Sequence, residues 1–210
     1  MKKKNRLLII GASGHGRMVA DTARRTDRWR HIAFLDDNSN IRLPSGIAVI
    51  GKTCDAAMYI DDYDIFVGIG GSETREIFQS QLVLSGASIP TIIHPGVMMG
   101  DGVQIGFGTI IMAGAIINCD SSIGNGCIIN TGATIDHENI VEDYVHISPG
   151  VHLAGNVKIG KNTWLGIGSI VSNNINIRSG CIIGAGAVVI RDVTEVGTYV
   201  GVPAKRVNKQ

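Results

Sequence analysis

The sequence predicts two architectures in series: a small parallel α/β unit over residues 1–93, then a prism of short parallel strands over residues 94–210. Three observations carry this. Short apolar runs alternate with helical segments in the first part. A six-residue period runs unbroken through the second. Glycine stands at 28 of 210 residues, roughly twice the usual share of about 7%, so the backbone must turn often where other residues cannot.

The α/β unit reads in order as follows. Arg6 to Ile10 is a short apolar strand, followed by the glycine turn Gly11-Ala12-Ser13-Gly14-His15-Gly16 and a helix from Met18 to Arg25. Ile32 to Leu35 forms a second strand that ends at Asp36-Asp37-Asn38. Ile65 to Ile69 forms a third, ending at Gly70-Gly71-Ser72, and Glu73 to Leu84 follows as a helix with Ser72 as its N-cap. Ile89 to Ile93 is a last strand. Strands that alternate with helices imply a small parallel sheet.

From Val97 to Asp192 the chain divides into sixteen hexapeptides without an insertion. The third place is aliphatic or methionine throughout, from Met99, Ile105 and Ile111 to Ile183 and Val189. The first place is mostly small or β-branched. In extended chain, residues two apart share a face, so places one and three point inward and place two points outward. Places four to six, rich in Gly, Asn and Asp, form a corner. A helix needs a period of 3.6, and a sandwich would vary its turn spacing. A constant six implies three strands per triangular coil, about five coils, and a prism of roughly 25 Å at ~4.8 Å per coil.

Composition narrows the function. A formal charge of +1 and 5% aromatic content give no electrostatic or stacking platform for nucleic acid. No stretch approaches the ~20 apolar residues of a membrane span. The start Met1-Lys2-Lys3-Lys4 precedes an apolar run too short for a secretory signal, so a cytoplasmic location is expected. Cys54, Cys119, Cys127 and Cys181 form no CxxC pair and read as reduced thiols, with Cys127 and Cys181 facing inward at first places.

The hexapeptide run, closed by Gly201-Val202-Pro203-Ala204-Lys205, resembles the left-handed β-helix acyltransferases. Adding Gly11-Ala12-Ser13-Gly14-His15-Gly16, Phe34-Leu35-Asp36-Asp37, Gly68-Ile69-Gly70 and Asp136-His137-Glu138 makes the chain similar, nearly end to end, to one subgroup. This subgroup comprises the nucleotide-sugar N-acetyltransferases of bacillosamine-type amino-sugar biosynthesis, with the sialic acid O-acetyltransferases as relatives. Gly71-Ser72 departs from the subgroup's pattern, in which an asparagine often follows the glycine. The resemblance implies a Rossmann-like α/β domain before a left-handed parallel β-helix. It also implies a homotrimer, acetyl-CoA as cosubstrate, no metal, and a UDP-, dTDP- or GDP-linked amino sugar as acceptor, with sugar O-acetylation as the alternative.

Acetyl transfer needs a group that accepts the proton of the attacking amine, and imidazole titrates in the right range. His137 lies on a corner with Glu138 directly after it, and by resemblance this pair is the general base and its support. His146 and His152 occupy outward second places; the resemblance sets His146 at the acetyl-CoA site. His137, His146 and His152 also permit a second reading, three zinc ligands from neighbouring subunits as in γ-type carbonic anhydrases. The glycine turn is spaced GxxGxG, and its place after a strand and before a helix lets backbone N–H groups approach a phosphate. By resemblance Ser13, Gly14 and His15 contact the substrate, Asp36 and Asp37 sit at the nucleoside, and Gly70 lies beside it. Gly155, Ile167 and Ala185 follow acetyl-CoA along the prism, and Lys161 and Lys205 approach its phosphates.

Overall fold

The computed structural model describes residues 4–38, 41 and 46–207, so the first three residues of the lysine-rich start lie outside the described residues. The chain divides into two compact units, Met1–His94 and Pro95–Gln210.

In the first unit, strands β1 (Arg6–Ile10), β2 (His31–Leu35), β3 (Val49–Gly51) and β4 (Asp64–Val67) form one parallel sheet. The order is β3-β2-β1-β4, so the chain leaves β1 to one side and later returns to its other side. The crevice beyond the C-terminal end of β1 is therefore the switch point, where open parallel sheets bind ligands. The core of the central strand β1 is buried: Leu7, Leu8, Ile9 and Ile10 are all 0% exposed.

Helix α1 spans Gly14–Arg24 and so begins four residues before the sequence reading. Glycine is a poor helix former, and that propensity conceals two helical glycines. Packing overrides it. A Cβ on Gly16 would overlap the carbonyl oxygen of Gly11, and one on Gly68 would sit 2.9 Å from Cα of Gly16. Only bare backbone lets the helix press this closely onto the sheet. Helix α2 spans Ser72–Leu84 with Gly71, not Ser72, at the N-cap. β3 and a 3₁₀ segment at Thr53–Tyr59 were not anticipated, and the last predicted strand shortens to Ile92–Ile93 and does not join this four-stranded sheet.

The second unit is a left-handed parallel β-helix. Each hexapeptide supplies a two-residue strand, and each strand pairs in parallel with those 18 residues away. Three faces result, carrying Thr134–Ile135, Ile140–Val141 and His146–Ile147 in one coil. Inward third-place residues from Ile111 to Val189 are all buried, at 2% exposure or less. Truncating one such isoleucine to alanine would cost about 2–5 kcal/mol. Met99 and Ile105 in the first coil are only partly covered. The sixth place adopts positive φ at every corner from Gly102 to Gly186, which explains Gly102, Gly114, Asn156 and Asn162 there. Strand 198–200 pairs with Ile182–Ile183 and then, antiparallel, with Lys205–Val207, extending the His146 face toward the C-terminus.

Candidate functional site

The base candidate stands on the corner between Thr134–Ile135 and Ile140–Val141. His137 Nδ1 lies 3.0 Å from Glu138 Oε2, and both side chains are more than half exposed. The main-chain N–H of His137 donates to Asp136 Oδ1 at 2.9 Å, and Asn118 Nδ2 donates to the same oxygen. These bonds, that of Asn118 first, hold the Asp136 carboxyl below the usual range. Glu138 takes φ +58°, in the left-handed region that a glutamate rarely adopts. Its N–H donates to Cys119 O at 3.0 Å. The imidazole ring lies over Gly155, one coil along. A Cβ at Gly155 would stand 2.5 Å from both Cε1 and Nε2.

This geometry sets the tautomer. A carboxylate beside Nδ1 favours the proton on Nδ1, which leaves Nε2 with a free lone pair pointing outward over Gly155. The ring can then accept one proton at Nε2 while Glu138 steadies the imidazolium that results.

His146 projects from a different face. Its ring stacks on Trp164, one coil along, with centroids 6.0 Å apart and planes 15° from parallel. Asn130 Nδ2 lies 3.4 Å from His146 Nε2, and Trp164 Nε1 donates to Ser148 Oγ at 2.8 Å. Ile167 and Ala185 stack on successive coils at one edge of this face, linked by the Gly186 N–H to Ile167 O bond. Lys161 lies at the other edge, its Nζ 5.7 Å from the Tyr144 ring centroid. Lys205 lies on the strand that ends the same sheet and lines a cleft of about 440 Å³ with Tyr199 and Ala204. His146, Ile167, Ala185 and Lys161 thus border one face, whereas the cleft of Lys205 is shared with Val189 and Val193. Gly155 instead joins His137. His152 lies on the third face, with Nδ1 2.8 Å from Thr134 Oγ1. Within one chain, His137 sits at the corner opposite the His146 face. Among the described residues no group of three or more His, Cys, Asp or Glu is placed to hold a metal ion.

In the first unit, the predicted substrate residues gather at the switch point. Ser13 is the N-cap of α1, exposed and without a side-chain capping bond. A Cβ at Gly14 or Gly70 would meet nothing within 4 Å, so both glycines face open space. Asp36 accepts from Ala12 N at 2.7 Å and from Asn38 N at 2.9 Å, and so orders the glycine turn. Asp37 accepts from the N–H and hydroxyl of Thr53. Each carboxylate still has lone pairs to offer.

Sequence reasoning missed Arg75. It is 1% exposed, and its guanidinium donates to Ile69 O, Gly70 O and Ser72 Oγ. Burial, and next the Arg75 charge, push the His15 imidazole down to about 4. His15 is therefore neutral at physiological pH. A buried cation and two helix N-termini thus stand at this edge beside the Asp36 and Asp37 carboxylates. An arginine early in a polar-looking helix gives no sequence signal of burial.

The comparisons follow this division. Residues 6–82 match the model of the PglD N-terminal domain. The acetyltransferase domain of PglB from Neisseria gonorrhoeae FA1090, solved in complex with acetyl coenzyme A, is 35% identical with a TM-score of 0.93, over 97% of this chain and 100% of that one. PerB from Caulobacter crescentus, solved with CoA and GDP-perosamine, is 33% identical with a TM-score of 0.90, over 96% and 97%. The chain belongs to the hexapeptide-repeat nucleotide-sugar N-acetyltransferases. It is an acetyltransferase. WeeI from Acinetobacter baumannii AYE is 27% identical with a TM-score of 0.87, over 96% and 99%. A putative acetyltransferase of Schizosaccharomyces pombe is 43% identical over 53 residues, which is 25% of this chain and 26% of that protein. Among the described residues of this N-acetyltransferase no helix is long and apolar enough to cross a membrane.

Proposed function

We propose that the chain transfers the acetyl group of acetyl-CoA to the amine of a nucleotide-linked 4-amino-4,6-dideoxy sugar, with His137 as general base. The observation that carries this reading is the exposed His137–Glu138 pair, with Nε2 presented over the bare backbone of Gly155. The relatives solved with acetyl coenzyme A and with CoA and GDP-perosamine support the two substrates.

Acetyl-CoA is the donor. The sugar amine attacks the thioester carbonyl as its proton passes to His137 Nε2. The Gly155 N–H steadies the oxyanion. The C–S bond then breaks, and the imidazolium returns the proton to the CoA sulfur. Glu138 holds the ring and offsets its transient charge. Acetyl-CoA runs along the His146–Trp164 wall, between Ile167, Ala185 and Lys161, with Lys205 toward its phosphates. The sugar nucleotide's diphosphate takes the N–H groups of Ser13 and Gly14, with His15 and Gly70 alongside, and Asp36 and Asp37 receive donors from the nucleoside. Both metabolites belong to the cytoplasm, where the enzyme acts.

His137 and His146 stand on opposite sides of one prism, so a site that uses both draws them from two copies. A homotrimer with a cleft at each junction satisfies this. The test is acetyl-CoA consumption against UDP-, dTDP- and GDP-linked 4-amino sugars, with the product identified by mass spectrometry. An N-acetylated nucleotide sugar is expected. Acetylation only of hydroxyls, or of none of the panel, overturns the reading.

A further inference from the structure

The prism interior holds one device repeated along its length. At first places, three of the four inward hydroxyl side chains tie successive coils together, while the buried Ser169 Oγ finds no partner. Thr109 donates to Gly124 O and accepts from Cys127 N. Ser121 donates to Asp136 O and accepts from Asn139 N. Thr163 donates to Arg178 O and accepts from Cys181 N. Each bond pair joins a carbonyl 15 residues ahead to an N–H 18 residues ahead. This is a purely structural stitch.

Asn139 makes the same stitch, donating to Ala154 O at 3.0 Å and accepting from Val157 N at 3.1 Å. It then does more. Its Nδ2 also reaches back to its own corner, to Asp136 O at 2.6 Å and His137 O at 3.3 Å. The side chain is 0% exposed and fully engaged. Two N–H bonds serve three carbonyls, so one is shared. A flipped amide would set its oxygen against those carbonyls, which fixes its orientation. Asn139 is the one amide among the sixteen first places. It stands where the corner carries His137 and a glutamate at positive φ.

The three carbonyls define the consequence. Asp136 and His137 carry the base and the carboxylate that caps its N–H. Ala154 directly precedes Gly155, on which the imidazole lies. We infer that Asn139 is a positioning residue, clamping the His137 corner and the Gly155 coil in one fixed relation so that Nε2 points at the reacting amine. This rests on His137 as the base. Thr109 and Thr163 make the stitch with no bond back to their own corners, and Ser121 already holds Asp136 O, so what Asn139 alone adds is the bond to His137 O and the link from that corner to Ala154 O.

The experiment compares Asn139→Ser and Asn139→Thr with wild type and with His137→Ala, using acetyl-CoA and the accepted nucleotide sugar. Both hydroxyl variants retain the stitch, since threonine fills the same place at 109 and 163. Expected are melting temperatures within a few degrees of wild type, kcat lowered about tenfold, and both KM values unchanged. The double variant His137→Ala/Asn139→Ser should be no slower than His137→Ala, because the clamp acts only through the ring. Wild-type kcat in a folded hydroxyl variant overturns the inference, as does an equal drop when His137 is already absent. If His137→Ala is fully active, the base assignment fails and takes this inference with it. If His137→Ala is inactive while Asn139→Ser equals wild type, only the clamp fails.

Discussion

The imidazole of His137 rests on the α-carbon of Gly155, 18 residues further along the chain. A methyl group at Gly155 would stand 2.5 Å from two ring atoms, so Gly155→Ala must displace the ring. Gly155 does not adopt positive φ, so the substitution carries no backbone strain of that kind. A small displacement of a base costs about 10- to 100-fold in rate. The expected result is such a loss in kcat with a melting temperature near that of wild type, read by steady-state kinetics and calorimetry.

Glu138 faces Nδ1 at 3.0 Å. Glu138→Gln keeps the size and removes the charge that favours the imidazolium. The ring then loses the carboxylate that holds Nδ1 and steadies the charge formed during transfer. Turnover should fall about 10- to 100-fold, and the KM for acetyl-CoA should not change.

His137 and His146 stand on opposite sides of one prism, which makes subunit sharing measurable. His137→Ala and His146→Ala chains, each inactive alone, should restore activity when unfolded together and refolded as mixed trimers. Random assembly gives one intact site in four, so about a quarter of wild-type turnover is expected. A mixture that stays inactive argues that each site is built from one chain.

His15 predicts a pH dependence of stability. Its folded pKa is about 4 against an ordinary 6.5, with burial as the main cause. Above 6.5 the group is neutral in both states and contributes nothing. Between 6.5 and 4 the unfolded chain takes up a proton that the folded chain refuses. Stability therefore falls as the pH falls, by on the order of 3 kcal/mol over the whole window. His15→Gln should lose this part of the slope. Melting curves from pH 7 to 4 that run parallel for the two proteins would show that His15 plays no such part.

The prism was legible because its signal is periodic. The third places from Ile111 onward are buried as the six-residue pattern requires, and Gly, Asn or Asp at most corners supplies the left-handed turn. The start of α1 was not legible, because Gly14 and Gly16 are poor helix formers whose place is set by contact with Gly11 and Gly68. The buried charge of Arg75 was hidden for a related reason: its partners are carbonyls of a turn that only the fold brings near. His137 and Glu138 were visible as neighbours, but Gly155 meets them only through the 18-residue coil. Asn139 was in plain sight as an amide at an inward place, although only the structure shows that its reach extends back to the base.

The role of His137 Nε2 as proton acceptor is tested most directly by the turnover of His137→Ala in acetyl transfer. A fall in kcat of about 10²- to 10⁴-fold with unchanged binding of acetyl-CoA is expected. A variant that acetylates the nucleotide sugar within about threefold of wild type would contradict that role.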